Sequence, residues 1–406
     1  MNNFRKDFKM LSTTMNNYPL IYFDNAATTL KPECVVNSVV NYYNCCSVNV
    51  HRGDYSLSND ISNQYENVRS KVANFINAKK NEVIFTSGAS LSLNMVALGY
   101  GRYFLKKDDI ILTCEAEHAS SILPWFNVAK ETEANIEYLK MVSSGRIDLE
   151  ASKSLFSKQV KVVVIAQSSN VLGYINPIKE ICALAHSVGA IVVVDGAQSV
   201  AHLPIDVKDL DVDFLCFSAH KIFGPTGVGV LYGKEKHLDK MKPLLYGGGN
   251  NSRFDMCGNV SLKKAPAKFE SGTPNIEGVL GFGSALDYIN YVGFSKIMEI
   301  EHELKEYLLS KLLPLKHIKV YNPNCDSPVV VFNVDGIFAQ DVAHYLSQYG
   351  ICVRAGNHCA KMLLDILGTN ETCRLSLSFY NTKEEIDFFI EIIKDITLEK
   401  TVMMYV

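Results

Sequence analysis

The sequence predicts an α/β protein built on a mostly parallel sheet. Short, continuous apolar runs at residues 160–166 and 191–194 are typical of parallel strands buried on both faces. Such runs alternate with helical patterns such as residues 178–188, which indicates a sheet covered by helices. With 406 residues the chain is long enough for two domains with large cores.

The predicted elements of the first two thirds of the chain follow in order. A short strand at residues 21–24 leads into a small-residue turn, and Pro32 stands near the start of a helix that runs to about residue 43. An amphipathic helix is predicted at 61–76. The alternating part then has strands at 82–86, 110–114, 135–139, 160–166, 191–194 and 214–217, with helices at 90–104 and 178–188 among the connections.

The pattern changes near Pro274, where long helices replace the alternation. Helices are predicted at 277–291, 295–313 and 339–349, strands at 329–334, 351–354 and 374–378, and a final amphipathic helix from Lys383. We therefore expect a large α/β domain at 20–284 and a smaller α+β domain at 285–406, with residues 1–19 packing on the smaller one.

Composition excludes several classes of function. The net charge of −3 shows no basic excess that would indicate nucleic-acid binding. The longest apolar runs are too short to span a bilayer, and the N-terminus lacks the apolar core of a signal peptide, so we expect a cytoplasmic protein without membrane contact. Eleven cysteines without any C-x-x-C pair are typical of reduced, mostly buried thiols, and their spacing predicts no metal site.

An acid and a lysine follow two neighbouring strands. The strand at 191–194 ends at Asp195, and the strand at 214–217 leads to Lys221 and a Gly/Pro-rich turn. Ligands of open α/β sheets bind at the carboxyl ends of strands. Pyridoxal 5′-phosphate (PLP) needs an acid for its pyridinium nitrogen and an amine for its aldehyde. Singly, the acid is as often a helix N-cap and the lysine a solvated surface residue.

Five other stretches carry candidate groups. The turn at 86–90 suits a phosphate, because it opens a helix, and His118 has an imidazole that can stack on an aromatic ring. Turns at 169–173 and 269–275 have ordinary alternatives as a loop and a linker. In 354–360, Cys359 stands beside a histidine and near arginines, which favours the thiolate, whereas burial is the commoner fate of cysteine. Arg354 or Arg374 could fork onto a carboxylate, although a lone arginine is usually a surface ion pair.

These stretches together resemble one family. The motifs, in chain order, are YFDNAAT, HRG, EAEH, SNVLG, VDGAQ, SAHKIFGPTG, FESGTPN, RAGNHCA and CRLSLSFYNT. From residue 22 to about 382 the chain is similar to the group II (SufS-like) cysteine desulfurases, which are fold-type I PLP enzymes of the class V aminotransferase superfamily. The short RAGNHCA segment resembles group II. The resemblance implies a seven-stranded, mostly parallel sheet in the large domain.

The resemblance also implies a role for each matching residue. Lys221 would form the internal aldimine with PLP and move the Cα proton. Asp195 would pair with the ring nitrogen, and Gln198 would hydrogen-bond the ring hydroxyl. His118 would stack on the ring. The remaining implied residues are the phosphate ligands Ser90, Ser218, His220 and the partner subunit's Thr273; the substrate ligands Asn170, Arg354 and Arg374; and Cys359 as sulfur acceptor. A homodimer is expected, because Thr273 would reach across to the other subunit.

The implied activity is conversion of L-cysteine to L-alanine, with a persulfide on Cys359. The sulfur would pass to an acceptor protein of the SufE or SufU type, for iron–sulfur cluster assembly or other sulfur-containing products. Two alternatives stay open. The first is a selenocysteine lyase, with L-selenocysteine as substrate, or another class V PLP-dependent β-eliminating lyase. The second is a cysteine-rich metal-binding or scaffold protein, which the absence of clustered Cys/His spacing disfavours.

Several residues depart from the family pattern, among them Ala89, Leu91, Gln167 and Asn357. We expect these departures to affect the rate, the PLP affinity and the choice of partner more than the type of reaction.

Overall fold

The computed structural model describes residues 4–403. Its centre is a seven-stranded sheet with the strand order Val83–Thr86, Gly229–Gly233, Phe214–Ser218, Ile191–Asp195, Val160–Ala166, Ile110–Thr113 and Asn135–Tyr138. Only Gly229–Gly233 runs antiparallel to its neighbours. The predicted α/β class and mostly parallel seven-stranded sheet are confirmed. The Gly229–Gly233 strand lies within a segment that the sequence pattern assigned no strand.

The sheet is buried on both faces, which explains its continuous apolar runs. Val192 and Val194 pack into one core cluster, and Ile191 and Val193 pack into a second on the opposite face. Successive side chains of a strand point to opposite faces, so a strand covered on both sides needs an apolar residue at every position.

The helices agree with the predictions to within a few residues at most ends. The helix predicted at 61–76 begins earlier, at Ser56, and the helix predicted at 90–104 contains a π-helical turn at Ala97–Gly101. The longer helices are Glu33–Cys45, Ser56–Phe75, Ala89–Val96, Ala119–Thr132, Ile178–Ser187, Ile276–Val292, Phe294–Leu312, Ala339–Gln348 and Lys383–Lys394.

A second, antiparallel sheet has the order Ile318–Val320, Val329–Val334, Thr372–Ser376 and Arg354–Gly356. The prediction of one strand at 351–354 is wrong in detail. Arg354–Gly356 pairs with Thr372–Ser376, whereas Ile351–Cys352 pairs in parallel with Ile21–Tyr22. The backbone leaves one strand and joins another within two residues.

The start of the chain contacts both parts of the molecule. Ile21 and Phe23 lie in the core cluster of the second sheet. Phe8 is buried with the large-sheet cluster, where its ring centroid lies 4.4 Å from that of Tyr380 and 6.2 Å from that of Phe223. The division of the chain at residues 284 and 285 stays a prediction.

Over residues 4–403, none of the helices has both the length and the apolar character needed to cross a bilayer.

Candidate active site

A cavity of about 220 Å³ opens at the carboxyl edge of the large sheet. Three adjacent strands end there, at Ala166, Asp195 and Ser218, and the short turn Ala219–Lys221 delivers the lysine. The lining residues are Ala26, Ala27, Ala89, Ser90, His118, Ser120, Ala166, Ser168, Asn170, Asp195, Ala197, Gln198, Ser218, His220, Lys221, Arg354, His358 and Arg374.

Asp195 and Lys221 have the electrostatic setting of a cofactor site. Asp195 is buried, its Oδ1 accepts a hydrogen bond from the Ala197 amide at 2.9 Å, and its Oδ2 has no partner within residues 4–403. Burial raises the pKa of Asp195 above its usual range. Lys221 is desolvated in the cavity, which lowers its pKa to about 8 although Asp195 opposes this shift. The amine is therefore partly neutral, and so nucleophilic, near neutral pH.

Gln198 is held by its own amide group. Its Nε2 donates to the Ala26 carbonyl at 2.8 Å, which leaves Oε1 as the group that can meet a ligand. The predicted contact with a ring hydroxyl would therefore have Gln198 as the acceptor.

Hydroxyls and a helix N-terminus line one end of the cavity. Ser218 Oγ accepts from the Ala89 amide at 2.7 Å, and Ser90 Oγ lies 2.7 Å from Ser120 Oγ, where helix Ala89–Val96 begins. The turn before that helix rests directly on Gly229, since a Cβ at position 229 would lie 2.4 Å from the Cα of Gly88. Donors at a helix N-terminus suit a phosphate.

Two of the histidines that line the cavity, His118 and His220, are neutral. His118 Nδ1 accepts from the Ser120 amide at 3.1 Å, so its ring proton is on Nε2. Burial, with help from the charge of Lys221, lowers the pKa of His118 to about 4. Burial likewise lowers the pKa of His220 to about 4. A neutral imidazole suits stacking on an electron-poor ring.

Arg374 is buried at the other end of the cavity. Its Nη1 donates to the Asn170 carbonyl at 2.9 Å and its Nη2 to Asp24 Oδ1 at 3.2 Å, while Nε has no partner within residues 4–403. Arg354 lines the cavity nearby. Arg374 therefore retains donors for a carboxylate. Asn170 is already engaged, since its Nδ2 donates to the His358 carbonyl at 2.8 Å.

Cys359 is exposed on a tight turn beside this end. His358 and Cys359 have φ values of 50° and 59°, the left-handed region. The turn is held by hydrogen bonds from the Cys359 amide to Asn357 Oδ1 at 3.1 Å and from the Ala119 amide to the Cys359 carbonyl at 2.7 Å. Asn357, a departure from the family pattern, thus supports the cysteine directly.

His358 does not place a positive charge beside the thiol. Its Nε2 lies 2.9 Å from Thr372 Oγ1, and burial lowers its pKa to about 3. The idea that this histidine favours the thiolate is therefore corrected. The basic residues that interact electrostatically with Cys359 include Arg374 and Lys221.

The structure brings the predicted site residues together with two exceptions. Cys359 follows the lining residue His358 without lining the cavity itself. Thr273 is exposed and lies elsewhere, at a larger cavity of about 780 Å³, where its Oγ1 accepts from Asn49 Nδ2 at 3.3 Å.

Sequence reasoning missed two acids at the site. Asp24 pairs with Arg374, and Glu117 is buried with its Oε1 accepting from the Ala166 amide at 2.8 Å. Burial raises the pKa of Glu117 to about 8. Both acids stood inside recognised motifs, YFDNAAT and EAEH, which was the available signal.

The residues fit PLP. The free Oδ2 of buried Asp195 suits a pyridinium nitrogen, the Lys221 amine suits an aldehyde, and the Ser90 and Ser218 end suits a phosphate. Within residues 4–403, the side chains of His, Cys, Asp and Glu form no group of three or more that could hold a metal ion. The fold and this cavity define a PLP-dependent α/β enzyme.

Comparison with known proteins narrows the class. The family model "Aminotransferase class-V" matches residues 21–389. The chain is 44% identical over 386 residues to a probable cysteine desulfurase of Halalkalibacterium halodurans, covering 94% of each chain. It is 39% identical to a cysteine desulfurase of Yersinia pestis, covering 94% of this chain and 95% of the relative.

Solved structures agree. The apo cysteine desulfurase of Thermococcus onnurineus superposes with a TM-score of 0.92 at 39% identity, covering 97% of each chain. The Escherichia coli cysteine desulfurase CsdA superposes with a TM-score of 0.90 at 34% identity, covering 99% of this chain and 98% of that one. The chain belongs to the aminotransferase class V family, among its cysteine desulfurases. It is an enzyme with PLP as its cofactor.

Proposed function

We propose that the enzyme takes sulfur from L-cysteine onto Cys359, releases L-alanine, and passes the sulfur to an acceptor protein of the SufE or SufU type. The acceptor would use the sulfur for iron–sulfur clusters or other sulfur-containing products. The observation that carries this proposal is an exposed thiol held on a pinned turn beside the cavity of Lys221 and Arg374. The same short, pinned turn favours group II within the family.

The chain's own residues support each part of the reaction. Arg374 has free donors for the substrate carboxylate, and Lys221 has an amine with a lowered pKa that can carry a proton to and from Cα. PLP, when bound, supplies an electron sink for the bonds at Cα. Asp195 would pair with the charged ring nitrogen, and His118 would stack on a face of the ring.

The sulfur transfer needs no oxidant or reductant besides the substrate and the Cys359 thiolate. The Cys359 thiolate attacks the substrate sulfur, a new S–S bond forms, and the Cβ–S bond breaks. The electron pair of that bond stays on Cβ, which takes a proton and becomes the methyl group of alanine. A neutral thiol is a poor nucleophile, so the step uses Cys359 in its thiolate form.

The test is Cys359→Ala, with the exposed cysteine variant Cys257→Ala as its matched control. We expect Cys359→Ala to form no protein persulfide and to lose alanine production from L-cysteine, whereas Cys257→Ala keeps both. Wild-type alanine production by Cys359→Ala would refute the persulfide step. Retained cleavage of L-selenocysteine alone would favour the selenocysteine lyase alternative.

We also propose a homodimer in which Thr273 serves the partner's phosphate site. Thr273 is exposed and lies away from the Lys221 cavity of its own chain, which supports this arrangement. Mixing Lys221→Ala with Thr273→Ala subunits provides the test. Hybrid dimers would then have one intact site, so activity should return to about a quarter of the wild-type value. A mixture that stays inactive would place Thr273 in its own chain's site. The cytoplasmic location stays a prediction.

A further inference from the structure

Lys31 is a half-buried cation outside the cavity, and every hydrogen bond of its ammonium is with a neutral oxygen. Its Nζ donates to the His220 carbonyl at 3.0 Å, to Thr28 Oγ1 at 3.0 Å, and to the Thr29 carbonyl. Within residues 4–403 no carboxylate pairs with it. Its three ammonium donors are therefore spent on one short turn and on the residue before Lys221.

The His220 carbonyl is crowded with donors. Besides Lys31 it accepts from the Thr29 amide at 3.1 Å, from Thr28 Oγ1 at 3.0 Å and from Thr29 Oγ1 at 3.2 Å. A carbonyl oxygen has two lone pairs, so neutral donors alone already satisfy it. The Lys31 ammonium is therefore not needed to satisfy the hydrogen-bonding capacity of the carbonyl. Desolvation of Lys31 lowers its pKa to about 8.

The clamped carbonyl belongs to the peptide that continues into Lys221. Thr29 Oγ1 also accepts from the Phe223 amide at 2.8 Å, so residues 28–31 hold the backbone on both sides of the lysine. Phe223 has a φ of 60°, and the chain turns sharply just after Lys221. The lysine side chain extends from a backbone segment that this turn fixes.

We propose that Lys31 is a positioning residue for Lys221, because its ammonium clamps the His220 carbonyl and fixes the backbone from which Lys221 reaches the cofactor. The inference rests on the proposed role of Lys221. A simple tie between the N-terminal turn and the sheet is the competing explanation, and it would affect stability alone.

The experiment compares Lys31→Met and Lys31→Arg with Lys179→Met, which removes an exposed lysine that pairs with Asp209. Hydroxylamine strips PLP from the holoenzymes, and borohydride reduction followed by peptide mapping reports the fraction of Lys221 that carries it. Turnover of L-cysteine gives kcat and KM, and thermal unfolding reports stability.

We expect Lys31→Met to lose PLP to hydroxylamine about tenfold faster and to lower kcat about tenfold, since small misplacements of a reacting group have effects of this order. KM should stay within about twofold of the wild type, because Arg374 is untouched, and Lys31→Arg should restore most of both losses. Lys179→Met should match the wild type.

Wild-type stripping rate and kcat in Lys31→Met would overturn the proposal, whether or not the melting temperature falls. If Lys31→Met does not fold, Lys31→Gln takes its place, since it removes the charge and keeps a shorter neutral donor, and a wild-type stripping rate and kcat in Lys31→Gln would overturn the proposal equally. A wild-type enzyme in which borohydride labels a lysine other than Lys221 would instead refute the proposed role of Lys221 itself.

Discussion

Gly229 offers a sharp test of how the large sheet shapes the phosphate end of the cavity. The Gly229–Gly233 strand pairs with Val83–Thr86, and Gly229 faces the turn that opens helix Ala89–Val96. In Gly229→Ala the new Cβ would lie 2.4 Å from the Cα of Gly88, 2.6 Å from its carbonyl carbon and 2.7 Å from its nitrogen. Ordinary contact begins at 3.4 Å, so the two backbones must separate by 3.4 − 2.4 = 1.0 Å.

A side-chain rotation cannot relieve this clash, because the three atoms nearest to the new Cβ are all backbone atoms of Gly88. Overpacking of this kind costs about 1–3 kcal/mol of the free energy of unfolding. A displacement of about 1 Å at a ligand-binding turn should also weaken PLP binding about tenfold or more. Gly247→Ala is the matched control, since its Cβ would meet nothing closer than 3.5 Å.

The assay combines PLP titration of the cofactor-free protein with chemical denaturation of the same samples. We expect Gly229→Ala to lose both affinity and stability, and Gly247→Ala to lose neither. Wild-type affinity in Gly229→Ala would show that the contact between the strand and the turn does not shape the phosphate end.

Three further predictions concern charged groups. Because the pKa of Lys221 is lowered to about 8, the rate of PLP incorporation into cofactor-free protein should rise with pH with its midpoint near pH 8. A midpoint at about pH 10.4, the pKa of a free lysine, would contradict this. Arg374→Lys should raise KM for L-cysteine about 10- to 100-fold, because it loses one charge-assisted hydrogen bond of about 1.5–3 kcal/mol. Arg102→Lys is the exposed control. An unchanged KM in Arg374→Lys would remove Arg374 from the substrate site. Asp213→Asn should lower the free energy of unfolding at neutral pH by about 3 kcal/mol, because buried Asp213 is hydrogen-bonded by His186 at 2.8 Å and by His237 at 3.1 Å. The control, Asp209→Asn at an exposed position, should leave the free energy of unfolding unchanged. The pKa of Asp213 is held below its usual 3.8, so its contribution is present above that pH and is lost as the pH falls further; denaturation curves that are the same for both variants would refute the assignment.

The large sheet could be predicted because burial on both faces leaves a local signal. A strand such as Ile191–Asp195 is apolar at every position, and the acid at its end marks the edge of the sheet. Gly229–Gly233 has the same length but a weaker signal, since it has glycine at both ends. Its place in the sheet depends on close approach to Gly88, which no local pattern contains.

The place of the cavity was predictable where single residues in motifs mark it, as for Asp195 and Lys221, which both line it; their chemical roles stay predictions. The site was not predictable where function depends on pairs distant in sequence. Asp24 meets Arg374 across 350 positions, and Lys31 meets His220 across 189. The engagement of Asn170 with the His358 carbonyl is equally a property of the folded chain.

The two-residue strand Ile21–Tyr22 affects the order in which the molecule is completed. Its partner, Ile351–Cys352, is synthesised some 330 residues later, and Ser376, whose amide donates to the Phe23 carbonyl at 2.7 Å, later still. A ribosome-bound chain can form the large sheet and expose Lys221 before the segment that carries Asp24 has anything to pair with. Contacts of such long sequence separation form slowly. The last strand to emerge therefore completes the cavity lining, and a chain that stalls before residue 351 has Lys221 without Arg374, the arginine proposed to hold the substrate.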